Sequence, residues 1–239
     1  MKLSIIIPVY NEEATIFQIL EKVESVKLSG NLTKEIILID DKSMDSSAEI
    51  IEKYIASKSA SKDLEIKFYK HEINSGKGAA LQTGFKQATG DFLIIQDADL
   101  EYDPEDYNEL LKPMLEHNAD VVYGSRFKGA KPRRIVNWRH YVANKFLTML
   151  SNFANNLYLT DMETCYKLFK TPIAKNLNLK ERGFGIEPEI TAKIAKVPNL
   201  RIYEVGISYY GRTYEEGKKI TWKDGVKAVF YILKYKFYD

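Results

Sequence analysis

The segment Asp91-Phe92-Leu93-Ile94-Ile95-Gln96-Asp97-Ala98-Asp99 is the strongest indication of the fold class, because it joins a short apolar run to two carboxylates. The run is β-prone and follows a turn at Thr89-Gly90, so it predicts a strand buried on both faces. In open α/β sheets, ligands bind at the carboxyl edge of the parallel strands, where Asp97 and Asp99 would emerge. Carboxylates one residue apart suit Mg²⁺ or Mn²⁺, whose other ligands are usually substrate phosphates.

The sequence around this strand alternates between short apolar runs and helical periodicity. Strands are predicted over residues 3–9, 35–40, 64–69, 91–96 and 120–123, with helices over 13–26, 46–57, 78–88 and 105–117. This alternation predicts an α/β fold with a mostly parallel, Rossmann-like sheet flanked by helices. No repeat or low-complexity linker interrupts the chain. Residues 1–239 are therefore predicted to form one domain, with a nucleotide and metal half at 1–125 and an acceptor half at 126–239.

Length and composition restrict the class of protein further. With 239 residues, 45% of them hydrophobic, the chain can bury one large core. The single cysteine, Cys165, excludes an internal disulfide and fits a reducing compartment. No signal peptide is expected, and no stretch approaches the roughly 18 apolar residues of a membrane span. The three histidines are scattered and are predicted to lie at the surface: His71, His117 and His140.

Charge is distributed unevenly along the chain. Residues 1–120 carry 13 Lys, no Arg and 23 acidic residues, whereas residues 121–239 carry 22 Lys and Arg and 10 acidic residues. This division indicates an acidic half that holds a cation and a basic half that faces phosphates or an anionic surface.

Two basic helical patterns with aromatic residues follow in the second half, over 138–159 and 221–238. Such helices can lie in a membrane interface. Ordinary packing onto the core would produce the same apolar spacing, and both interpretations stay open for different faces of each helix.

Four polar motifs follow the predicted strands in order: Pro8-Val9-Tyr10-Asn11-Glu12, Asp40-Asp41-Lys42-Ser43-Met44-Asp45, Asn74-Ser75-Gly76-Lys77-Gly78 and Asp97-Ala98-Asp99. The first strand lacks the Gly-x-Gly-x-x-Gly of dinucleotide-binding domains, and the third motif lacks the spacing of a Walker A loop. Instead, an aromatic ring, an amide and a carboxylate follow the first strand, where they can stack on a base and bind the ribose.

Together these motifs resemble the family 2 glycosyltransferases of the GT-A fold. The resemblance is strongest to polyprenyl (dolichyl)-phosphate hexosyltransferases, in which Asp-Ala-Asp-Leu-Gln precedes Gly-Ser-Arg-Tyr and an Arg-x-Tyr block that ends in Lys. This chain has Asp97-Ala98-Asp99-Leu100-Glu101, Gly124-Ser125-Arg126-Phe127, and Arg212-Thr213-Tyr214 leading to Lys218. The resemblance covers nearly the whole chain, and Glu101 replaces the usual Gln.

The resemblance implies a role for each matching residue. Nucleotide-binding roles are implied for Pro8, Tyr10, Glu12, Ile39, Asp41, Asp97 and Ala98. A site for Mg²⁺ or Mn²⁺ is implied at Asp97, Asp99 and Glu101. Asp99 is expected to act in catalysis, together with the phosphate-binding side chains of Arg126, Arg212 and Lys218.

The acceptor is expected to meet Arg133 or Arg134, between which the sequence does not choose. Asp161 and Glu163 lie where family members with hydroxyl acceptors carry their base. A lipid phosphate is already largely ionised at pH 7, so it needs positioning more than a base, and the two acids are then expected to organise the acceptor side. Glu187 and Glu189 are predicted to begin a helix.

The resemblance therefore implies a metal-dependent, inverting glycosyltransferase that moves a hexose from GDP-mannose or a UDP-hexose to a polyprenyl phosphate. We expect it to act peripherally on the cytoplasmic face of a membrane, without nucleic acid. A family 2 enzyme with a hydroxyl acceptor is the main alternative. A nucleotidyltransferase would show a Gly-rich, Arg-containing loop after the first strand, and a non-catalytic binder would leave the acidic strand ends unexplained.

Overall fold

The computed structural model describes residues 1–58, 63–135, 138–213, 215–216 and 222–238, and within these ranges the chain forms seven strands and eight α-helices. The strands are β1 (Lys2–Val9), β2 (Thr33–Asp40), β3 (Leu64–Lys70), β4 (Phe92–Ile95), β5 (Val121–Ser125), β6 (Lys167–Lys170) and β7 (Ile202–Gly206). The helices are α1 (Ile16–Ser25), α2 (Ser47–Ser57), α3 (Lys77–Gln87), α4 (Tyr107–Glu116), α5 (Trp138–Asn155), α6 (Thr171–Asn176), α7 (Ile186–Lys196) and α8 (Trp222–Phe237).

The strands form one sheet in the order β3-β2-β1-β4-β6-β5-β7. Only β6 runs antiparallel to its neighbours, β4 and β5, and the other strand pairs in this sheet are parallel. The predicted α/β fold with a mostly parallel sheet is confirmed, and its five strands lie within about two residues of their predicted positions. Strands β6 and β7 were not predicted. Since β6 inserts between β4 and β5, the sheet continues into the second half of the chain.

The central strands are buried because helices cover both faces of the sheet. Ile5, Ile6 and Ile7 of β1 have no exposed surface, which explains the continuous apolar run. Helix α3 crosses this strand at very short range. A Cβ on Gly84 would come within 2.2 Å of Cγ2 of Ile6, so only glycine permits this packing. The close contact positions the start of α3 at the carboxyl edge of the sheet.

A buried carboxylate joins the strands at their opposite end. Glu35 on β2 accepts hydrogen bonds from Ser4 Oγ at 2.5 Å and from Thr89 Oγ1 at 2.6 Å, and it pairs with Lys67 Nζ at 2.6 Å. Burial raises the pKa of this carboxyl group, but the hydrogen bonds from Lys67, Ser4 and Thr89 outweigh burial and lower the pKa to about 2. The ionised form of Glu35 therefore stabilises the fold.

We expect Glu35→Gln to lower the free energy of unfolding at pH 7 by roughly 3 kcal/mol, the value of a pKa shift of this size. The folded-state pKa lies below the unfolded value, so this contribution is present above pH about 4.5 and is lost as the pH falls towards 2. Urea unfolding at pH 7 and at pH 3 measures both effects. The exposed Glu65→Gln on β3 is the control, and an equal loss at both pH values would contradict the assignment.

Helices α5 and α8 pack against each other and bury a second, smaller core that includes Leu147, Met162 and Ile232. Their other faces carry large exposed apolar side chains, among them Phe153 at 89% exposure. We call this region the apolar surface; it comprises Trp138, Val142, Phe146, Met149 and Phe153 on α5 and Val226, Phe230, Leu233 and Phe237 on α8. Each helix therefore has both a packing face and an unpacked apolar face. Among the residues described, no helix is long and apolar enough to cross a membrane.

Candidate active site

The motifs predicted to bind the donor meet at the carboxyl edge of the sheet, because β1, β2 and β4 are parallel neighbours. Pro8 lies opposite Ile39 in the pairing of β1 with β2, and Ile39 is fully buried. Tyr10, just beyond β1, is exposed. Ala98 is buried, and its carbonyl accepts a hydrogen bond from Thr15 Oγ1 at 3.0 Å. The nucleotide-binding roles of these residues stay a prediction.

Asp41 orders the loop that precedes α3. Its carboxylate accepts hydrogen bonds from the backbone amides of Ser75 at 2.9 Å and Gly76 at 2.6 Å, and contacts His71 Nδ1 at 2.7 Å. The prediction of a surface histidine is wrong for His71, whose side chain is only 18% exposed and whose other ring nitrogen bonds Thr83 at 2.9 Å. No local sequence signal links residues 41 and 71, since tertiary packing brings them together.

The acidic residues around β4 lie with two cations from distant parts of the chain. Lys77 Nζ lies 2.7 Å from Asp97 Oδ1, and Arg212 Nη2 donates to Asp99 Oδ2 at 2.6 Å. The backbone amide of Arg212 donates to Glu101 Oε1 at 2.6 Å. Arg212 Nη1 also approaches Glu12 Oε2, at 3.6 Å. The structure thus brings together Glu12, Asp97, Asp99, Glu101 and Arg212 at the carboxyl edge of the sheet, and their roles there stay predictions.

This group has more carboxylates than cations. Burial raises the pKa of Asp99 to about 7, and the charges of Asp97 and Glu101 add to this rise, whereas Arg212 opposes it. Lys77 pairs with Asp97, and the Arg212 guanidinium is shared among Glu12, Asp99 and Glu101. Three carboxylates that share one guanidinium fit a divalent cation bound through oxygen ligands.

No preformed cluster of three or more metal-binding side chains occurs in the part of the chain that the structure describes. Mg²⁺ is commonly bound by one or two carboxylates together with substrate phosphates, and such a site need not be complete without the substrate. The donor set therefore fits a cation that arrives with a diphosphate. Asp97, Asp99 and Glu101 remain the predicted ligands.

A buried ion pair behind Asp97 was missed by the sequence analysis. Glu187, near the start of α7, pairs with the fully buried Lys167, and its Oε1 lies 3.7 Å from Lys77 Nζ. The sequence predicted that Glu187 and Glu189 begin a helix, which α7 confirms. The apolar periodicity around residue 187 does not indicate that this carboxylate lies near Lys77 at the carboxyl edge of the sheet.

On the acceptor side, Arg126 and Asp161 form a buried pair. Arg126 Nε and Nη2 each donate to the Asp161 carboxylate at 2.7 Å, and the Arg126 backbone amide donates to it at 3.0 Å. Glu163 differs, because its Oε1 is buried without a hydrogen-bond partner among the described residues. Burial raises the pKa of Glu163 to about 7, with a further contribution from the charge of Glu187. Of the two acids, only Glu163 has an oxygen without a hydrogen-bond partner in the described part of the chain.

The remaining predicted residues lie around Tyr209. The Arg134 backbone amide donates to the Tyr209 carbonyl at 2.8 Å, and the exposed Arg134 side chain pairs with Glu216 at 2.7 Å. Arg133 is exposed and forms a β-bridge with Tyr209. The Tyr209 hydroxyl donates to Glu101 at 2.9 Å, so this segment adjoins the acidic group. Lys218 lies outside the described residues.

Comparisons with known proteins agree with this architecture. The dodecaprenyl-phosphate galacturonate synthase of Rhizobium johnstonii is 26% identical over 221 residues, covering 91% of this chain and 62% of the relative. The dolichol-phosphate mannosyltransferase of Pyrococcus furiosus is 28% identical over 230 residues, covering 92% of this chain and 61% of the relative. The chain thus spans about three-fifths of the length of these two relatives.

Solved structures show the same fold. Glucosyl-3-phosphoglycerate synthase from Mycobacterium tuberculosis, in complex with UDP, superimposes with a TM-score of 0.73 at 17% identity and covers 98% of this chain and 80% of that chain. A complex of the same synthase with Mn²⁺, UDP and glucosyl-3-phosphoglycerate gives a TM-score of 0.71 at 16% identity, covering 98% and 79%.

The sequence profile described as glycosyl transferase family 2 matches residues 4–177, well over half of the chain. This range contains the donor motifs, the Arg126–Asp161 pair and Glu163, and it confirms the resemblance drawn from the strand-end motifs. The chain belongs to glycosyl transferase family 2.

Proposed function

We propose that this protein is a metal-dependent, inverting glycosyltransferase that transfers a hexose from a nucleotide sugar to a polyprenyl phosphate. The observation that carries the donor half is the group of three carboxylates, Glu12, Asp99 and Glu101, around Arg212 at the carboxyl edge of the sheet. The named activities of the two polyprenyl-phosphate relatives support the acceptor half.

In the proposed reaction, a new bond forms between an acceptor phosphate oxygen and the anomeric carbon while the bond from that carbon to the diphosphate breaks. Attack from the face opposite the leaving group inverts the configuration. When bound, Mg²⁺ or Mn²⁺ would neutralise charge on the leaving diphosphate. Arg212 contributes a preorganised positive charge beside the predicted metal ligands. Asp99 holds its guanidinium group in place, and Glu101 holds its backbone amide.

The apolar surface of α5 and α8 supports peripheral membrane association on the proposed cytoplasmic face. Exposed Arg139 and Lys236 lie on the same two helices, and aromatic side chains beside basic ones suit an anionic lipid interface. A lipid-linked acceptor would then reach the site from the surface on which the helices lie.

A transfer assay tests this function. Purified protein is incubated with Mg²⁺ or Mn²⁺ and a panel of GDP- and UDP-sugars, with a short polyprenyl phosphate, the matching unphosphorylated polyprenol, or no acceptor. We expect nucleoside diphosphate release only when metal and polyprenyl phosphate are both present, and the donor that reacts identifies the hexose. Metal-dependent release of nucleoside diphosphate with the polyprenol, but not with the polyprenyl phosphate, would show that the acceptor is a hydroxyl compound.

Glu163 favours the second candidate, a transferase with a hydroxyl acceptor. Its Oε1 has no hydrogen-bond partner among the described residues, and a carboxylate with a pKa of about 7 is suited to general base catalysis. A base must be ionised, so a hydroxyl-acceptor rate would rise with pH through about 7. A phosphate acceptor would give a rise through about pH 6 instead, where its own second ionisation lies.

For the proposed phosphate acceptor, we expect Glu163→Gln to retain transfer within about tenfold and to leave the pH profile unchanged. General base catalysis is worth on the order of 10²- to 10⁴-fold, so a loss of that size, together with loss of the pH-dependent limb near 7, would establish the hydroxyl acceptor. The rates are measured from pH 5 to 9. Glu116→Gln, an exposed substitution on α4, is the control.

A further inference from the structure

Lys77 is the first residue of α3, and its ammonium group lies between two carboxylates. Its Nζ is 2.7 Å from Asp97 Oδ1 and 3.7 Å from Glu187 Oε1. The first distance is that of a charge-assisted hydrogen bond, and the second is too long for one. Lys77 therefore binds a carboxylate that is a predicted metal ligand.

Glu187 is an incompletely satisfied acceptor for the same ammonium group. Its side chain is 6% exposed, and Lys167 Nζ binds its Oε2. Its other oxygen, Oε1, is buried and has no hydrogen-bond partner among the residues that the structure describes. Buried polar atoms are rarely left unpaired, so an unpaired carboxylate oxygen beside an ammonium group requires an explanation.

We propose that Lys77 is an internal counter-ion that holds Asp97 before the substrate binds and transfers to Glu187 when a divalent cation and the donor diphosphate arrive. The inference rests on the metal-dependent function proposed above and assigns positioning roles to Lys77 and Glu187.

The surrounding structure allows this change to occur in the side chain alone. The Ala79 amide donates to the Arg182 carbonyl at 3.1 Å, and a Cβ on Gly76 would lie 2.5 Å from the same carbonyl oxygen. The start of α3 is thus held against the loop that leads into α7. Only the flexible lysine side chain has to move, and a displacement of about 1 Å would bring its ammonium group within hydrogen-bond distance of Glu187.

Electrostatics gives the direction of the transfer. Without a metal, the Lys77 ammonium group lies 2.7 Å from Asp97 Oδ1 and compensates the negative charge of that carboxylate. A divalent cation on Asp97 would repel an ammonium group bound to the same carboxylate. Glu187 then provides the second partner, because Lys167 already holds its carboxylate in place.

Metal binding without turnover tests the proposal. Mn²⁺ affinity is measured by electron paramagnetic resonance, with and without UDP or GDP, for the wild type, Lys77→Met, Glu187→Gln and the double variant. We expect Lys77→Met to bind Mn²⁺ about tenfold more tightly without nucleotide, because the competing cation is gone. Glu187→Gln should weaken binding about threefold or more in the presence of Lys77, and should have no effect in the Lys77→Met background.

Two controls separate this role from a structural one. Lys77→Arg keeps the positive charge and should bind Mn²⁺ with an affinity within about threefold of the wild type. The exposed Lys86→Met on α3 should not change Mn²⁺ affinity.

If Glu187→Gln does not fold, a crystal structure of the wild type with Mn²⁺ and the nucleoside diphosphate tests whether Lys77 transfers to Glu187. We expect Lys77 Nζ within about 3.2 Å of Glu187 Oε1.

Three results would overturn the inference. Unchanged or weaker Mn²⁺ binding by Lys77→Met would show that the lysine does not compete with the metal. A metal complex in which Lys77 still contacts Asp97 would show that no transfer occurs. Failure of the wild type to bind Mn²⁺ even with nucleotide would remove the metal-dependent function itself, whereas the first two results leave that function intact.

Discussion

Asp99→Asn should abolish transfer and at the same time raise the melting temperature. Loss of the carboxylate removes a predicted metal ligand and the main side-chain partner of Arg212, so we expect transfer to fall by about a thousandfold or more. The fold should gain stability, because burial and the charges of Asp97 and Glu101 raise the pKa of Asp99 to about 7. Above that pH the native state carries an ionised group that it disfavours.

The sign of the stability change follows from the direction of this shift. A carboxyl group whose folded-state pKa is raised destabilises the fold as the pH rises from about 4 to 7. At pH 8, Asp99→Asn removes the cost of an ionised carboxylate at this buried position. After the lost contact with Arg212 is included, the free energy of unfolding should rise by an amount on the order of 2 kcal/mol. For a chain of this length, the melting temperature should rise by about 5 °C at pH 8 and should hardly change at pH 5.

The measurements are transfer with Mn²⁺ and thermal unfolding at the two pH values. Asp63→Asn, at an exposed position before β3, is the matched control and should change neither. Removal of metal from the wild type with a chelator should abolish transfer reversibly. Metal-dependent transfer by Asp99→Asn would contradict the role of this carboxylate. A lower melting temperature at pH 8 would contradict the charge argument.

Asp161→Asn should destabilise the protein by about 3–5 kcal/mol, because it leaves the Arg126 guanidinium without a carboxylate partner. Asp161 is fully buried, and the side chain of Arg126 is only 12% exposed. Burial lowers the pKa of Arg126. The charge of Asp161 is the main effect that outweighs burial, and it keeps this pKa well above its ordinary value. Urea unfolding at pH 7 measures the loss.

A double variant separates stability from catalysis at this pair. Arg126→Met with Asp161→Leu replaces both charges with apolar side chains, and we expect it to regain much of the stability lost in Asp161→Asn. If Arg126 also binds a substrate phosphate, the folded double variant should still lack transfer activity. Full activity of the double variant would limit Arg126 to a structural role. A double variant as unstable as Asp161→Asn would contradict the explanation that an unpaired charge causes the loss of stability.

This pair also decides how the acceptor is tested. A loss of activity in Asp161→Asn would not identify a catalytic base, because the substitution is also expected to destabilise the fold around Arg126. Glu163 makes the cleaner test, since its Oε1 has no hydrogen-bond partner in the described ranges. Sequence position alone placed the two acids in one block and could not separate their roles.

The predicted elements show which features of this fold are local. Strands β1 to β5 follow from apolar runs bounded by turn signals, and each lies close to its predicted residues. Strand β6 has only four residues and lies beside an acidic block, so its sequence carries little periodicity. Its antiparallel place between β4 and β5 depends on pairing with strands that are remote along the chain.

Local sequence patterns are enough to predict the α/β class, the order of the donor motifs and their common position at the carboxyl edge. These depend on periodicity and on residues adjacent to each strand. The pairing of charges, in contrast, depends on how distant segments pack together. Arg212 reaches Asp99 across 113 positions, and Lys77 approaches both Asp97 and Glu187. Such partners are chosen by how the helices pack against the sheet, and the burial that this packing imposes then determines which carboxylates are neutralised and which have an unpaired oxygen.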